Sequence, residues 1–522
     1  MNGSKSEVAA FFAGRSLLVT GASGFMGKVL LEKLLYACTD LRQIFILIRP
    51  KRGKSVEARM EEMFKSPLFH RIRDNKPEAF KKIVPIFGDV LQDNLGLTDE
   101  AKRRITEEVS VVIHSAATLK LEAKLKDAVE MNVVGTYRVL ELAKQIKNLK
   151  VFVHVSTAFC HVDVEVMEEK IYDTPISPLD IMRMCEWMDQ ETLDVIQPRV
   201  LHPHPNSYTY SKRLAEAMVD EYYPDIPACI VRPSIVTPSV KEPVPGWVDN
   251  LNGPVGLLIG GGKGVIRTMH CKAELLAQLI PVDFAINGII VVTAKVGKMT
   301  ERTKDMPVYN LTQGKTATVS WGRVLEIGRE IFYKYPFSVM LWYPDGNIRS
   351  SKLVHDIYAI FYHWIPAYFI DGLLFIFGQK RFMIRVQNKV AVGLEVLQYF
   401  TTRQWNFKND KLLALRDELK GPDKETFAMP FEDVQEVPYM TDCMLGARQY
   451  LCKEDPANIP RARRNLMLFW LLDRFAALLF YLLIAWIIVS SSDTVRGMLD
   501  SVLESVSTVP VFRRSIDKTP AE

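Results

Sequence analysis

Along the N-terminal half of the chain, short apolar runs alternate with stretches whose apolar residues recur at helical spacing. The run Leu17-Leu18-Val19 reads as a buried strand, and Phe25, Val29, Leu30 and Leu34 then mark one face of a helix. Further apolar strands are predicted at 43–49, 84–90, 109–117, 151–159 and 228–236. Helical patterns separate them at Val56–Lys65, around Glu130–Leu142 and across the segment NSYTYSKRLAEAMVDEYY. Strand–helix alternation of this kind predicts an α/β fold with a doubly wound parallel sheet, closed by the strand at 228–236.

Two stretches depart from that rhythm. Residues 160–207 are too long for a plain connection; they carry Met182, Met184, Trp187 and Met188, a stripe that suits either core packing or a cover over an apolar ligand. From Pro238 to Val292 the chain is apolar and glycine-rich around GLLIGGGKG, which suggests a substrate-side subdomain. Residues 355–450 then read as a helical unit. Its stretch 357–377 approaches the length of a membrane span, but His363, Pro366 and Asp371 interrupt it, which favours a helical hairpin buried or lying at a membrane surface. A second apolar stretch, 466–489, follows the basic cluster RARR and is broken by Asp473-Arg474; its length suits a membrane anchor with the preceding domains on the cytosolic side.

The junction between the first strand and helix carries Gly21, Gly24 and Gly27. In a strand–turn–helix context this spacing marks a dinucleotide site. Gly21 permits the tight turn, Gly24 lets a pyrophosphate approach the backbone, and Gly27 lets helix and strand pack closely. Thr20, Ser23 and Phe25 flank the loop, and the free N–H groups of the helix start face the phosphates. A site for NAD usually ends its second strand in a carboxylate, whereas this strand ends in Arg49 followed by Lys51, Arg52 and Lys54. Guanidinium and ammonium groups would grip a 2′-phosphate, so the expected cofactor is NADPH. Asp89, beside Val90 after the third strand, could accept from the adenine amino group or cap its turn, and Ala116 ends the fourth strand where a cofactor passes closely. Asn132 is placed to tie backbone together beneath the cofactor, without reacting itself.

Hydroxyls at a strand's carboxyl end are well placed for ligands in such a sheet, and the fifth strand ends in Ser156-Thr157. Tyr208 and Lys212 lie at i and i+4 on one helix face. A nearby cation lowers the pKa of a tyrosine so that it can act as an acid near neutrality, and Lys212 could also hold the nicotinamide ribose. Thr157 or Ser156 would hydrogen-bond the substrate oxygen beside Tyr208. The spacing Tyr-x-x-x-Lys occurs only here, downstream of the fifth strand.

Composition changes the picture little. At 522 residues, with 48% hydrophobic and 24% charged positions, the chain is a globular protein of two or three units. A net charge of +5 and the lack of any nucleic-acid-binding motif exclude that class. Seven scattered cysteines with no metal or disulfide spacing suggest a reducing compartment and predict no metal site. The N-terminal residues lack an apolar core long enough for a signal peptide.

In this order, Gly21-x-x-Gly24-x-x-Gly27, Asn132-x-x-Gly135-Thr136, Ser156-Thr157-Ala158, Tyr208-x-x-x-Lys212 and Arg232-Pro233 resemble the extended short-chain dehydrogenase/reductases. The stretches LIRPKRGKS, HVSTAF, EPVPGWVDNLNGP, IPVDFAING, VYNLTQG and 355–381 are similar, more narrowly, to alcohol-forming fatty acyl-CoA reductases. The resemblance covers nearly the whole chain. It implies a Rossmann reductase domain with substrate subdomain over 1–350, a helical C-terminal domain over 351–455, an anchor over 466–489 and a tail over 490–522. It also implies a long-chain fatty acyl-CoA substrate reduced by two NADPH, through a bound aldehyde, to the alcohol. In that scheme Tyr208 is the general acid, Lys212 its electrostatic helper, and Thr157 a better match than Ser156 for the third position. Phe159 departs from the tyrosine common in the family. An intracellular membrane, endoplasmic reticulum or peroxisome, is the implied location, with the catalytic domain facing the cytosol; a homodimer stays open. The alternatives are a membrane-bound hydroxysteroid or sugar-nucleotide oxidoreductase of the same fold, and a catalytically silent NADPH-binding scaffold.

Overall fold

The computed structural model describes residues 6–49, 53–491, 494, 496–498 and 501. Seven strands form the central sheet: β1 (Ser16–Thr20), β2 (Gln43–Ile48), β3 (Ile83–Phe87), β4 (Val109–His114), β5 (Val151–Val155), β6 (Ala228–Pro233) and β7 (Val308–Leu311). Their order in space is β7-β6-β5-β4-β1-β2-β3, and every pairing is parallel. The direction of winding reverses between β1 and β4, which places a crevice at the carboxyl ends of those strands. Both faces of the sheet are covered, so the strands are apolar throughout rather than alternating. Leu17 and Val19 join one hydrophobic layer and Leu18 the other, the two-residue period of a strand buried on both sides.

The helices that matter for function are α1 (Phe25–Ala37), α2 (Gly135–Ala143), α3 (Ser207–Glu221), α4 (Pro254–Gly262), α5 (Val282–Gly297) and α6 (Trp321–Lys334). Beyond these come α7 (Ile365–Ile376), α8 (Met383–Thr401), α9 (Glu436–Gly446) and α10 (Ile459–Ser491). Helix α5 is apolar on nearly every side and almost wholly buried. It packs against α1 and the sheet on one side and against Met429 and Leu412 of the C-terminal region on the other.

One sequence expectation changes and one choice is decided. The apolar run 228–236 is not one strand: β6 ends at Pro233, which has no N–H to continue the ladder. Ile235–Thr237 then leaves the sheet to pair with Leu279–Pro281, and β7 closes the sheet instead. Of the two readings of the methionine stripe, core packing is the one the fold supports. Met182 and Met184 pack beside Ile181 and Cys185 on the layer that includes Val129 and Val133, and Trp187 is 72% exposed.

The C-terminal expectations acquire physical causes. Lys352–Ile376 forms one continuous helix of 25 residues, long and apolar enough to cross a membrane. It makes a hairpin with α8. Asp371 faces inward and accepts from the N–H groups of Phe382, Met383 and Ile384 at 3.0, 2.9 and 3.0 Å, capping α8. His363 accepts from Arg267 N at 2.8 Å. The polar residues that interrupt the apolar pattern are thus those that hold the helix to the body. Helix α10 is likewise long and apolar enough to cross a membrane, and its break at Asp473 is also an attachment. The carboxylate is buried, accepts from Trp342 Nε1 at 2.5 Å and pairs with Arg267 at 3.2 Å.

Candidate active site

At the crevice, β1 turns into α1 through the glycine loop. Gly21 sits at φ +73°, and a Cβ there would fall 2.7 Å from Ala116 N and Ser115 C. Gly27 lies against Gly21 O and Ala22, leaving no room for a Cβ and setting helix and strand in contact. Gly24 is the N-cap of α1 and offers no side chain to the first turn, so the backbone N–H groups at the start of α1 point at a ligand site. Thr20 Oγ1 accepts from Ala116 N at 3.2 Å and bonds His114 Nδ1 at 2.7 Å. His114 Nε2 continues to Thr136 Oγ1 at 3.0 Å, and Thr136 donates to Asn132 O at 2.6 Å. Burial drives the His114 pKa down to about 3, so the histidine works as a neutral hydrogen-bond link.

Asn132 joins two elements of the site. Its Oδ1 accepts from Thr118 N at 2.8 Å and its Nδ2 donates to Ser211 Oγ of α3 at 2.9 Å. Val90 packs against Gly135, beneath the crevice. Phe25 stacks on Trp247 at 5.5 Å, and Lys28 pairs with Asp249 at 2.7 Å. Through these contacts the 242–254 stretch is folded over α1.

Beyond the glycine loop, Arg49 is exposed and pairs with Asp89 at 3.3 Å. Asp89 also caps its own turn, accepting from Leu91 N at 3.1 Å. Lys51 lies outside the described residues. A residue the sequence reading missed stands beside them: Arg59, on the helix Val56–Lys65, donates to Ser23 Oγ at 3.2 Å and to Arg49 O. It brings a second guanidinium to the loop that ends β2. Only the fold places it there, since it lies a helical turn beyond the basic run.

The reactive-looking groups come from β5 and α3. Asn206 caps α3, and Tyr208, Lys212 and Glu216 follow at successive i+4 positions facing the strand ends. Thr157 lies beside the Tyr208 hydroxyl, and its own Oγ1 accepts from Phe159 N at 3.3 Å. Ser156 points elsewhere, with Oγ 3.8 Å from Cys160 Sγ, so of the two hydroxyls only Thr157 meets the tyrosine. Burial pushes the Tyr208 phenol well above its ordinary value, with Thr157 opposing. Lys212 is buried and donates to Val155 O at 2.7 Å, and desolvation lowers its pKa to about 8. Glu216 holds the far end of this face. Arg232, with 0% exposure, grips it in bidentate fashion at 2.8 and 2.7 Å, and His161 and Cys160 complete its bonds at 3.0 and 3.2 Å. Those ion-pair and hydrogen-bond contacts hold its carboxyl well below the usual range.

Tyr208 opens onto an apolar chamber of about 150 Å³ whose walls include Phe159, Ile235, Leu397 and Phe400. A second apolar chamber of about 170 Å³ lies beyond it, between α4, α6 and α9. The two share Pro254, Leu257 and Trp321 as walls. Phe159 meets Phe400, Trp405 and Phe407 edge-on at 5.5, 5.1 and 5.2 Å, so the C-terminal helical region supplies part of the wall beside the tyrosine. The arrangement offers a hydroxyl acid, a buried cation, a dinucleotide cradle and two adjoining apolar chambers.

A family model described as "Male sterility protein" matches residues 19–289, and a second with the same description matches 362–454. The fatty acyl-CoA reductase 1 of Gallus gallus is 36% identical over 460 residues, covering 88% of this chain and 89% of that one. The fatty acyl-CoA reductase wat of Drosophila melanogaster is 34% identical over 482 residues, covering 92% and 93%. The chain belongs to the fatty acyl-CoA reductase family. It is a nicotinamide-dependent oxidoreductase. The reductase domain of a nonribosomal peptide synthetase from Mycobacterium tuberculosis shares the reductase's fold, with a TM-score of 0.57 at 17% identity over 85% of this chain and 95% of that one. The terminal R domain of the myxalamid pathway does so with 0.54 at 20%, over 84% and 91%.

Proposed function

We propose that the reductase converts a long-chain fatty acyl-CoA to the fatty alcohol with two equivalents of NADPH, on an intracellular membrane and facing the cytosol. The observation that carries this reading is the Tyr208 hydroxyl, with Thr157 beside it, opening onto an apolar chamber that adjoins a second apolar chamber. A sugar nucleotide would require polar partners there; an acyl chain requires none. Arg49 and Arg59 support NADPH over NADH, because two guanidinium groups flank the place where a 2′-phosphate would lie. The cradle of Gly21, Gly24 and Gly27, with its uncapped helix start, fits a pyrophosphate.

The nicotinamide group, when bound, supplies one hydride to the thioester carbonyl and, in a second round, one to the aldehyde. Tyr208 donates its proton to the carbonyl oxygen as negative charge develops there, while Thr157 holds that oxygen in line. Burial keeps the phenol protonated until the oxygen becomes basic enough to take the proton. Lys212 keeps positive charge within the site and anchors α3 to β5 through Val155 O. As the C–S bond of the hemithioacetal breaks, its hydroxyl proton returns to the Tyr208 oxygen, coenzyme A leaves as the thiolate and takes a solvent proton, and the aldehyde stays beside the reloaded Tyr208 for the second reduction. Phe159, Leu397, Phe400 and Trp321 exclude water around it.

Membrane attachment rests on Lys352–Ile376 and α10, whose apolar faces are largely exposed. The basic residues 461–464 at the start of α10 favour a cytosolic body. The test is to incubate the purified full chain with palmitoyl-CoA and NADPH and to measure alcohol, free thiol and cofactor oxidised. Two NADPH oxidised per thiol released, with hexadecanol as product, is expected. Steroid or sugar-nucleotide turnover with an inert thioester would overturn the reading.

A further inference from the structure

Where the second apolar chamber ends at Arg329 and Asn347, a separate recess of about 240 Å³ begins, lined by Arg267, Arg329, Asp345, Asn347, Arg349, Tyr358 and Tyr362. It lies apart from the glycine loop and from Tyr208, and nothing in the reduction uses it. Its three arginines share one feature: the Nε atom of each is buried and has no hydrogen-bond partner. The remaining contacts fix the guanidinium groups in place. Arg329 donates to Gly346 O at 2.7 Å. Arg349 lies over the Tyr358 ring at 4.1 Å and Arg267 over the Tyr362 ring at 4.7 Å. Arg267 also pairs with Asp473 at 3.2 Å, and Arg474 with Asp473 and Asp345 at 2.5 and 3.3 Å. Three guanidinium groups thus line the recess with one carboxylate, Asp345, while Asp473 and Arg474 pair at its edge. A positive excess held in a sheltered recess is what an oxyanion compensates.

The location says which oxyanion. Tyr358 and Tyr362 belong to the exposed apolar helix Lys352–Ile376. Asp473 and Arg474 are the last charged residues before the uninterrupted apolar run 475–489 of α10, and a ring contact between Phe361 and Phe480, at 6.2 Å, joins the two helices just past the recess. Charged groups immediately before an apolar run, as Asp473 and Arg474 are, lie at the level of lipid headgroups. We propose that this recess binds the phosphate of an anionic membrane phospholipid, seating the end of the apolar chamber against the bilayer surface. The proposal rests on the membrane reading above.

The test uses the full chain in uncharged detergent micelles, with dioctanoyl phosphatidic acid as the probe. Saturable thermal stabilisation by the lipid is expected. Arg349→Gln should weaken its apparent affinity about tenfold, and Arg267→Gln by a similar factor, the loss of one charge-assisted phosphate contact. Arg349→Lys should retain most of it. A lipid-free melting temperature and circular-dichroism spectrum of Arg349→Gln equal to wild type show that the variant is folded. Coenzyme A and inorganic phosphate are the other two arms. The proposal is overturned if the lipid gives no shift, if Arg349→Gln leaves its affinity unchanged, or if coenzyme A or phosphate binds the recess as tightly as the lipid. Because the shift is read without turnover or a bilayer, a chain that binds lipid but reduces no acyl-CoA would sink the functional reading alone.

Discussion

Gly328→Met offers a quantitative test of where the acyl chain lies. Gly328 sits on α6, is buried and lines the second apolar chamber. A Cβ placed there meets nothing nearer than the Phe332 ring at 3.9 Å. The substitution therefore points a side chain into the chamber without backbone strain, and methionine suits a helix interior better than glycine by roughly 0.7 kcal/mol. Its four heavy atoms displace about four methylenes of a bound chain. At about 0.8 kcal/mol for each buried CH₂, acyl groups long enough to reach α6 lose about 3 kcal/mol of binding, or about 100-fold in kcat/KM. Shorter chains that end in the chamber beside Tyr208 keep their rates. The assay is kcat/KM for a series of saturated acyl-CoAs, with wild type and variant side by side. A loss that is uniform across chain lengths, or no loss at all, would refute the placement of the chain.

Three more outcomes follow from the site. Glu216→Gln leaves Arg232 buried without its counter-charge, which costs about 3–5 kcal/mol; a fall of about 10 °C in melting temperature is expected, and replacing both residues by leucine should recover part of it. Lys212 titrates at about 8 rather than its ordinary 10.5. Between those values the unfolded chain holds a proton that the folded one has lost, so stability rises with pH there. Activity that needs the ammonium falls through about pH 8, and Lys212→Met removes the stability slope, as pH-dependent melting and pH–rate profiles can check. Arg59→Ala should weaken NADPH about tenfold or more and NADH little, and Arg49→Glu should discriminate in the same direction; equal losses for both cofactors in a fluorescence titration would remove the arginines from phosphate recognition.

Local chemistry is what the sequence displays well. Gly21, Gly24 and Gly27 lie within one turn, and Tyr208 and Lys212 within another, so spacing alone exposes them. Thr157 and Ser156 are adjacent, and only side-chain direction separates them: one meets Tyr208, the other turns to Cys160. Arg59 reaches Ser23 across the β2 crossover, a contact that no linear pattern announces. The apolar chambers are assembled from Pro254, Trp321, Leu397 and Tyr439, segments far apart in the chain and indistinguishable from core by composition. Pro233 was the visible sign that the run 228–236 must break, but β7, at four residues, is too short to stand out. His363, Asp371 and Asp473 look like flaws in membrane-length helices until Arg267, Trp342 and the start of α8 supply their partners.

Everything in this mechanism depends on Tyr208 giving the proton to the carbonyl oxygen. Its most direct test is Tyr208→Phe, which keeps the ring and the chamber wall and removes only the hydroxyl. Single-turnover reduction of palmitoyl-CoA should fall by about 10²–10⁴-fold, while the affinity for NADPH, measured by titration of cofactor fluorescence, stays at the wild-type value. A variant that reduces the thioester at close to the wild-type rate with NADPH bound normally would contradict the account.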